Sequence, residues 1–264
     1  MNDGRNVACV LVFAGLDPSG GAGIQADIQA ISAAGVHALP IVTALTVQDN
    51  QHVHAVHPVD PEVLREQARA LVDQGTRIDA IKIGIVGSAA NATVIVDVIT
   101  HLRAMNADLP VVLDPVLASG HGDMLSKGDA LQALAPLRTL ATLITPNLPE
   151  ARALCSVEDI DAQARILLQD APHVLIKGGH GEGDVIVNRW FSAGSQRDWT
   201  WPRLRGEFHG SGCTLASAIA ARLAQHVPME AALDAAQQYT QHALTNAYSI
   251  APGQQIPNRV KEMS

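Results

Sequence analysis

Short runs of β-branched and aliphatic residues alternate along this chain with longer amphipathic or Ala-rich segments, and few folds accommodate such an alternation. The runs at residues 7–13, 39–46, 80–83, 111–113, 142–145 and 174–177 read as strands. They are apolar almost without interruption, as strands must be when both faces are covered. Between them, residues 23–34, 61–74, 91–105, 125–135, 148–154 and 161–169 read as helices, and 212–225 and 229–248 as two closing helices. Residues 184–189 and 196–201 form an expected hairpin at one edge. Strands alternating with helices predict βαβ units on a mostly parallel sheet. No repeat, low-complexity tract or Pro/Ser-rich linker interrupts the pattern. The expectation is therefore one α/β domain over residues 1–264, a three-layer α/β/α sandwich with a mostly parallel central sheet.

Nearly every strand runs into a loop dense in Gly, Asp, Asn, Pro or Lys: Gly15–Gly21, Asp114-Pro115-Val116, Pro146-Asn147 and Lys177-Gly178-Gly179. In open parallel sheets ligands bind beyond the carboxyl ends of the strands, so a site is expected on that side. Charge narrows the ligand. The chain has 26 acidic residues against 18 Lys and Arg, a formal charge of −8, and no Lys/Arg run, which argues against nucleic acid. No apolar stretch reaches the roughly 20 residues that a membrane span requires. The first residues are polar and lack a signal core, and three scattered cysteines suggest neither a disulfide framework nor a zinc site. A cytoplasmic protein acting on small molecules is expected.

The most informative segment is His209-Gly210-Ser211-Gly212-Cys213-Thr214, directly before an apolar helix. Glycines let backbone approach a ligand closely, and a helix start offers N–H groups without intrahelical acceptors. Together with the helix dipole these make a phosphate site. Cys213 would lie in the first turn, where a thiolate is favoured and can serve as a base. The plainer reading, a Gly-rich cap over a buried cysteine, accounts for the segment about equally well. Asn147 and Glu150 offer oxygen ligands for Mg²⁺ but also read as a helix cap with an acidic first turn. Lys177 at a strand end either meets phosphates or is simply a strand-end lysine. His52, His54 and His57 alternate on what reads as a polar strand face, and Asn91-Ala92-Thr93 as a helix start. Gly21-Ala22-Gly23-Ile24-Gln25-Ala26 fits the dinucleotide pattern G-x-G-x-x-A, but Leu16-Asp17-Pro18-Ser19-Gly20 intervenes between it and the strand, and no acidic residue follows at ribose distance. No Gly-Lys pair exists, so a nucleotide P-loop is excluded.

Taken together, the segments resemble the hydroxymethylpyrimidine/phosphomethylpyrimidine kinases of thiamine biosynthesis, members of the ribokinase-like superfamily. The resemblance extends from about Val10 to Ala220. It is carried by the loop from Ala14 to Asp27, by Thr43-Ala44-Leu45-Thr46-Val47-Gln48, Lys82-Ile83-Gly84 and Leu113-Asp114-Pro115-Val116, and by Thr145–Glu150, Lys177-Gly178-Gly179-His180 and His209–Thr214. It implies ATP-dependent phosphorylation of a hydroxymethylated aminopyrimidine to the monophosphate and then to the diphosphate, with Mg²⁺. Gln48 would bind the aminopyrimidine edge, to which an amide offers both a donor and an acceptor. Asp27, Gly15 and Val116 would line the same pocket. Cys213 would remove or orient the hydroxymethyl proton, with Gly210, Ser211 and Gly212 holding the transferring phosphoryl group. Lys177, Asn147 and Thr214 would serve the nucleotide, and Glu150 and Asp114 the metal. Family members are commonly homodimers, for which residues 39–46 and 53–56 would supply an interface.

The chain departs from the family in two places. Residues 117–123 read Leu-Ala-Ser-Gly-His-Gly-Asp, a variant of the more usual pattern, and a C-terminal stretch usually ending Pro-x-Asn-His reads Pro257-Asn258-Arg259 here. Arg203 and Arg205 precede His209, within expected reach of nucleotide or phosphate. The alternatives are a pyridoxal or pyridoxine kinase on the same fold and a silent vitamin-binding protein. The retention of Lys177, Glu150, Gly212 and Cys213 together argues against the silent protein. A dehydrogenase is disfavoured by the misplaced glycine pattern.

Overall fold

The computed structural model describes residues 7–117 and 130–260. In chain order its strands are β1 (Cys9–Leu16), β2 (His37–Gln48), β3 (Val53–Pro58), β4 (Ala80–Ile83), β5 (Val111–Leu113), β6 (Leu143–Ile144), β7 (His173–Ile176), β8 (Val185–Ser192) and β9 (Ser195–Pro202). The helices are α1 (Gly23–Ala33), α2 (Pro61–Val72), α3 (Ala89–Met105), α4 (Ala130–Arg138), α5 (Leu148–Cys155), α6 (Ile160–Leu167), α7 (Ser211–Ala224) and α8 (Met229–Thr245). Among the described residues the strands form one sheet in the order β3-β2-β1-β4-β5-β6-β7-β8-β9. Neighbours from β2 through β7 are parallel, while β3 at one edge and β8 and β9 at the other are antiparallel. The expected mostly parallel α/β/α sandwich is what forms.

Side chains of a strand alternate between faces, and β1 shows what each face is for. Val10, Val12 and Ala14 pack with Ala216 and Ile219 of α7 and Leu233 of α8. Leu11 and Phe13 pack on the other side with Leu64 of α2, Ile95 and Ile99 of α3 and Leu134 of α4. A smaller cluster joins Val174 and Ile176 of β7 to Ala151 of α5 and Leu167 of α6. Both faces are covered, which is why the central strands carry so few polar residues. Among the described residues no helix is long and apolar enough to cross a membrane.

Several boundaries differ from those read in the sequence, each for a local reason. β1 continues to Leu16 because a register shift between Ala14 and Gly15 lets Gly15 and Leu16 keep pairing with Ala44 and Leu45. β2 begins at His37 and tolerates Pro40, since β3 pairs only with Ala44–Gln48 and the earlier half of β2 lies on an open edge. His54 and His57 are exposed on β3 but His52 precedes the strand, so the three do not form the single polar face expected. α4 runs through Pro136 to Arg138 although proline disfavours a helix interior; Leu134 and Leu137, both buried, hold the turn in place. The expected helix start at 125–129 and the variant segment at 118–123 lie outside the described residues. α3 starts at Ala89, two residues early, because Ser88 caps it by accepting from the Asn91 N–H at 3.2 Å.

Candidate active site

β1 is the point at which the sheet reverses its order: the chain goes to β2 on one side and later to β4 on the other. Loops that leave β1 and β4 at their carboxyl ends diverge there and open a crevice. A cleft of about 470 Å³ occupies this position, within the range usual for small-molecule sites. Gly15, Gln48, Val116, Asp114, Asn147, Glu150, Lys177 and the loop Gly210-Ser211-Gly212-Cys213 all border it. Residues up to 198 positions apart in the sequence thus converge, as the strand-end loops suggested.

At one end lies the glycine loop. Gly210 is the N-cap of α7 with φ 78°, a left-handed conformation, and a β-carbon there would come within 2.1 Å of the Gly21 carbonyl oxygen. Only glycine fits both demands. A β-carbon on Gly212 would lie 3.1 Å from the Lys177 ammonium and 3.7 Å from Asp114 Oδ2. The start of α7 is therefore packed directly against a charged pair. Lys177 Nζ donates to Asp114 Oδ1 at 2.6 Å, and Thr145 Oγ1 donates to the same oxygen at 3.3 Å. Burial alone would lower the Lys177 pKa, but Asp114 and Glu150 outweigh it and raise it, so the ammonium stays charged.

Asn147 and Glu150 form a reciprocal capping box on α5. The Asn147 side chain accepts from the Glu150 N–H and the Glu150 carboxylate from the Asn147 N–H, each at 2.8 Å. The cap expected from sequence is real, and the same carboxylate borders the cleft. Burial pushes Glu150 up to about 7, with Asp114 adding to the rise and Lys177 opposing it. Asp114 and Glu150 both border the cleft, and such a pair of carboxylates matches the donor chemistry of Mg²⁺, which usually takes one or two protein carboxylates and fills its shell with water and phosphate. Among the described residues no cluster of three or more His, Cys, Asp or Glu side chains is poised for a metal.

Three expectations require correction. Asp27 does not border the cleft: it has no exposed surface and accepts from Lys82 Nζ through both oxygens at 2.9 Å and from Ser217 Oγ at 2.7 Å. The side chain turns inward from α1, so Lys82 rather than Asp27 faces the cavity. Thr214 is likewise fully buried behind the loop, donating to the Gly210 carbonyl at 2.8 Å. Cys213 faces the cleft, yet its thiolate is not favoured. Burial pushes the thiol up to about 11, more than Lys82 and a hydrogen bond from the Gly23 backbone can offset. Arg203 does border the cleft, as its place before His209 led one to expect, with its guanidinium donating to the carbonyls of Gly183, Gly179 and Gly181 at 2.7–2.8 Å.

Two further pairings escaped the sequence reading. Lys82 is a lone lysine in a four-residue strand with no exposed surface, a signal that a buried acid must face it, though nothing in the sequence says which. Asp17 accepts from the Ser19 and Ala22 N–H groups at 2.8 Å and lies 2.8 Å from His209 Nε2, which joins the opening loop to the glycine loop. Burial would raise Asp17, but hydrogen bonds from His209 and Ser19 prevail and hold it at about 2.

Comparison with known proteins agrees with this geometry at two levels. The solved structures on which the chain superposes are small-molecule kinases, and the fold and cleft place it in the ribokinase-like class. An ADP complex of Bacillus subtilis pyridoxal kinase superposes with a TM-score of 0.85 at 27% identity, covering 96% of this chain and 97% of that one. Phosphomethylpyrimidine kinase from Clostridium difficile 630 superposes with a TM-score of 0.76 at 31% identity, covering 89% and 99%. In sequence, the hydroxymethylpyrimidine/phosphomethylpyrimidine kinase of Streptomyces coelicolor is 38% identical over 253 residues, 92% of this chain and 91% of its own. The family model described as phosphomethylpyrimidine kinase matches residues 17–258. The chain belongs to that family.

Proposed function

We propose that the chain phosphorylates 4-amino-5-hydroxymethyl-2-methylpyrimidine with ATP and then phosphorylates the monophosphate to the diphosphate, within thiamine biosynthesis. One observation carries the reading: a glycine loop at a helix start and the Lys177–Asp114 pair share a cleft with Gln48 and Gly15. One end suits phosphate and the other a flat heteroaromatic ring. Gln48 would pair with the aminopyrimidine edge through its amide, with Gly15 and Val116 against the ring. Lys177 and Asn147 would hold nucleotide phosphates. Glu150 and Asp114 would hold Mg²⁺, which would supply positive charge against the negative charge of the phosphates.

In the first transfer the hydroxymethyl oxygen attacks the γ-phosphorus of ATP, the bond to the β-bridging oxygen breaks, and ADP leaves. The N–H groups at the start of α7 face the charge on the phosphoryl oxygens. Phosphoryl transfer passes through a loose transition state that asks little of a base, so positioning matters more than proton abstraction. With its thiol protonated at neutral pH, Cys213 orients the hydroxyl, whose proton passes late in the transfer to an oxygen of the transferred phosphoryl group and from there to solvent. In the second transfer a phosphate oxygen, already ionised, is the acceptor and needs no such help.

Pyridoxal is the competing acceptor, because pyridoxal kinase is among the structures on which the chain superposes. Steady-state rates with both acceptors under Mg·ATP separate the two. The pyrimidine reading expects kcat/KM for hydroxymethylpyrimidine to exceed that for pyridoxal at least tenfold, a ratio of about 1.4 kcal/mol; the reverse order would overturn it. A homodimer is proposed on the family resemblance alone. Leu45 and Val47 of β2 remain exposed at the expected corner, and sedimentation of the purified chain decides the point.

A further inference from the structure

The C-terminal tail carries a guanidinium that the reaction scheme above does not use. After α8 the chain folds back: Tyr248 and Ile256 exchange backbone hydrogen bonds at 3.0 and 2.8 Å. Gln255 then bonds on both sides of the segment leading into the glycine loop, accepting from the His209 N–H and donating to the Glu207 carbonyl, each at 2.8 Å. The Asn258 N–H donates to the Ala243 carbonyl at 2.9 Å, and the Tyr239 hydroxyl to the Arg259 carbonyl at 2.8 Å. These contacts thread Arg259, 1% exposed, behind the glycine loop.

Every acceptor that its guanidinium meets among the described residues is neutral. Nε donates to Thr214 Oγ1 at 2.8 Å, and Nη1 to Gln29 Oε1 at 3.3 Å. Nη2 donates to the carbonyls of Gly21, of His209 at 3.5 Å and of Gly210 at 3.4 Å. Buried arginines are ordinarily matched by a carboxylate, because an unmatched charge is costly to desolvate. Here the charge is held by neutral oxygens, three of them on His209, Gly210 and Thr214 of the segment that faces the cleft and the others on Gly21 and Gln29.

Which carbonyls it holds is what matters. The His209 carbonyl and the Gly210 N–H belong to one peptide unit, and the Gly210 carbonyl and the Ser211 N–H to the next. Gly210 is the N-cap and Ser211 the first residue of α7, so these N–H groups lack intrahelical acceptors and border the cleft. The Gly210 carbonyl also accepts from the Thr214 N–H at 2.9 Å and the Thr214 hydroxyl at 2.8 Å. Hydrogen bonds donated to a carbonyl polarise its peptide and strengthen the N–H at the other end.

We propose that Arg259 is a positioning residue for phosphoryl transfer. Its guanidinium fixes and polarises the peptide units on either side of Gly210 and, through Gly21, locks the opening loop against the glycine loop. The proposal rests on the reading of that loop as the phosphoryl site. Thr214, expected from the family resemblance to serve the nucleotide, acts in the same relay by bridging Arg259 to the Gly210 carbonyl.

The test compares R259K and R259A with the wild-type chain, using whichever acceptor the wild type turns over. Wild-type turnover tests the function, and the variant-to-wild-type ratio tests Arg259 alone. R259K keeps a buried cation and hence the fold, but an ammonium cannot fork across loop carbonyls and the Thr214 hydroxyl together. Its kcat should fall about tenfold, a fraction of what losing an oxyanion donor outright costs, with the acceptor KM within about threefold. R259A should fall further and regain part of its kcat when millimolar guanidinium is added. Wild-type kcat in R259K, or a loss confined to the acceptor KM, overturns the proposal. So does an R259A that is folded by circular dichroism, impaired, and unmoved by guanidinium.

Discussion

Lys82 lies at the back of the cleft near Cys213 and Asp27 behind it, neither with any exposed surface. Burial alone would lower the Lys82 pKa, but the Asp27 carboxylate outweighs it and raises the pKa, so the ammonium near the thiol stays charged. That charge does not make Cys213 a thiolate, because burial prevails and leaves the thiol near 11. Cys213→Ala should therefore reduce phosphorylation of the alcohol more than phosphorylation of the monophosphate, by at least tenfold in the ratio of the two kcat values. Separate assays of the two acceptors check this, and equal losses would remove Cys213 from its assigned role. The Asp17–His209 pair makes a different prediction, about stability. A carboxylate at about 2 in the folded chain against 3.8 unfolded stabilises the fold fully above pH 4, and the gain is lost as pH falls through 2. Its size is about 2 kcal/mol. Urea denaturation of wild type and Asp17→Asn from pH 7 down to 3 should show a constant gap that narrows below about pH 4; a gap that stays unchanged at pH 3 would contradict the pairing.

Two helix starts do the work at the scale of elements. α7 begins on a glycine cap with no side-chain hydrogen bond, which leaves its first N–H groups for a ligand. α5 begins on a closed capping box, which turns the Glu150 carboxylate back over its own N-terminus and holds it at the cleft wall. Asn147→Ala opens that box, and the loss of such a cap typically costs about 1 kcal/mol. The variant should show this loss in urea denaturation together with a higher KM for Mg·ATP. An unchanged KM would make the box purely structural. The α5 cap was legible because all its partners lie within four residues, and the glycine loop because conformation and chemistry there are encoded in consecutive residues. Asp27 was misplaced for the opposite reason. Its direction depends on Lys82, 55 residues away, and on Ser217, 190 residues away. α4 was ended too early at Pro136, since the packing of Leu137 that overrides the proline is tertiary.

The whole molecule sets these helix starts against each other across the reversal of strand order between β1 and β4. Eight of the nine strands among the described residues, the hairpin edge included, were readable from periodicity, because apolar runs mark strands wherever both faces are covered. β3, partly exposed, shows in the sequence only as a polar alternation. The order of the strands was not, nor was the return of the tail that brings Arg259 behind Gly210, since both are decided by contacts between distant segments. What the arrangement implies is one cleft serving two successive transfers, the product of the first being the acceptor of the second. Incubating the purified chain with Mg·ATP and hydroxymethylpyrimidine, and following products by mass over time, tests this most directly. The account predicts that the monophosphate accumulates and is then converted to the diphosphate. Tight binding of the pyrimidine with neither product formed would contradict it.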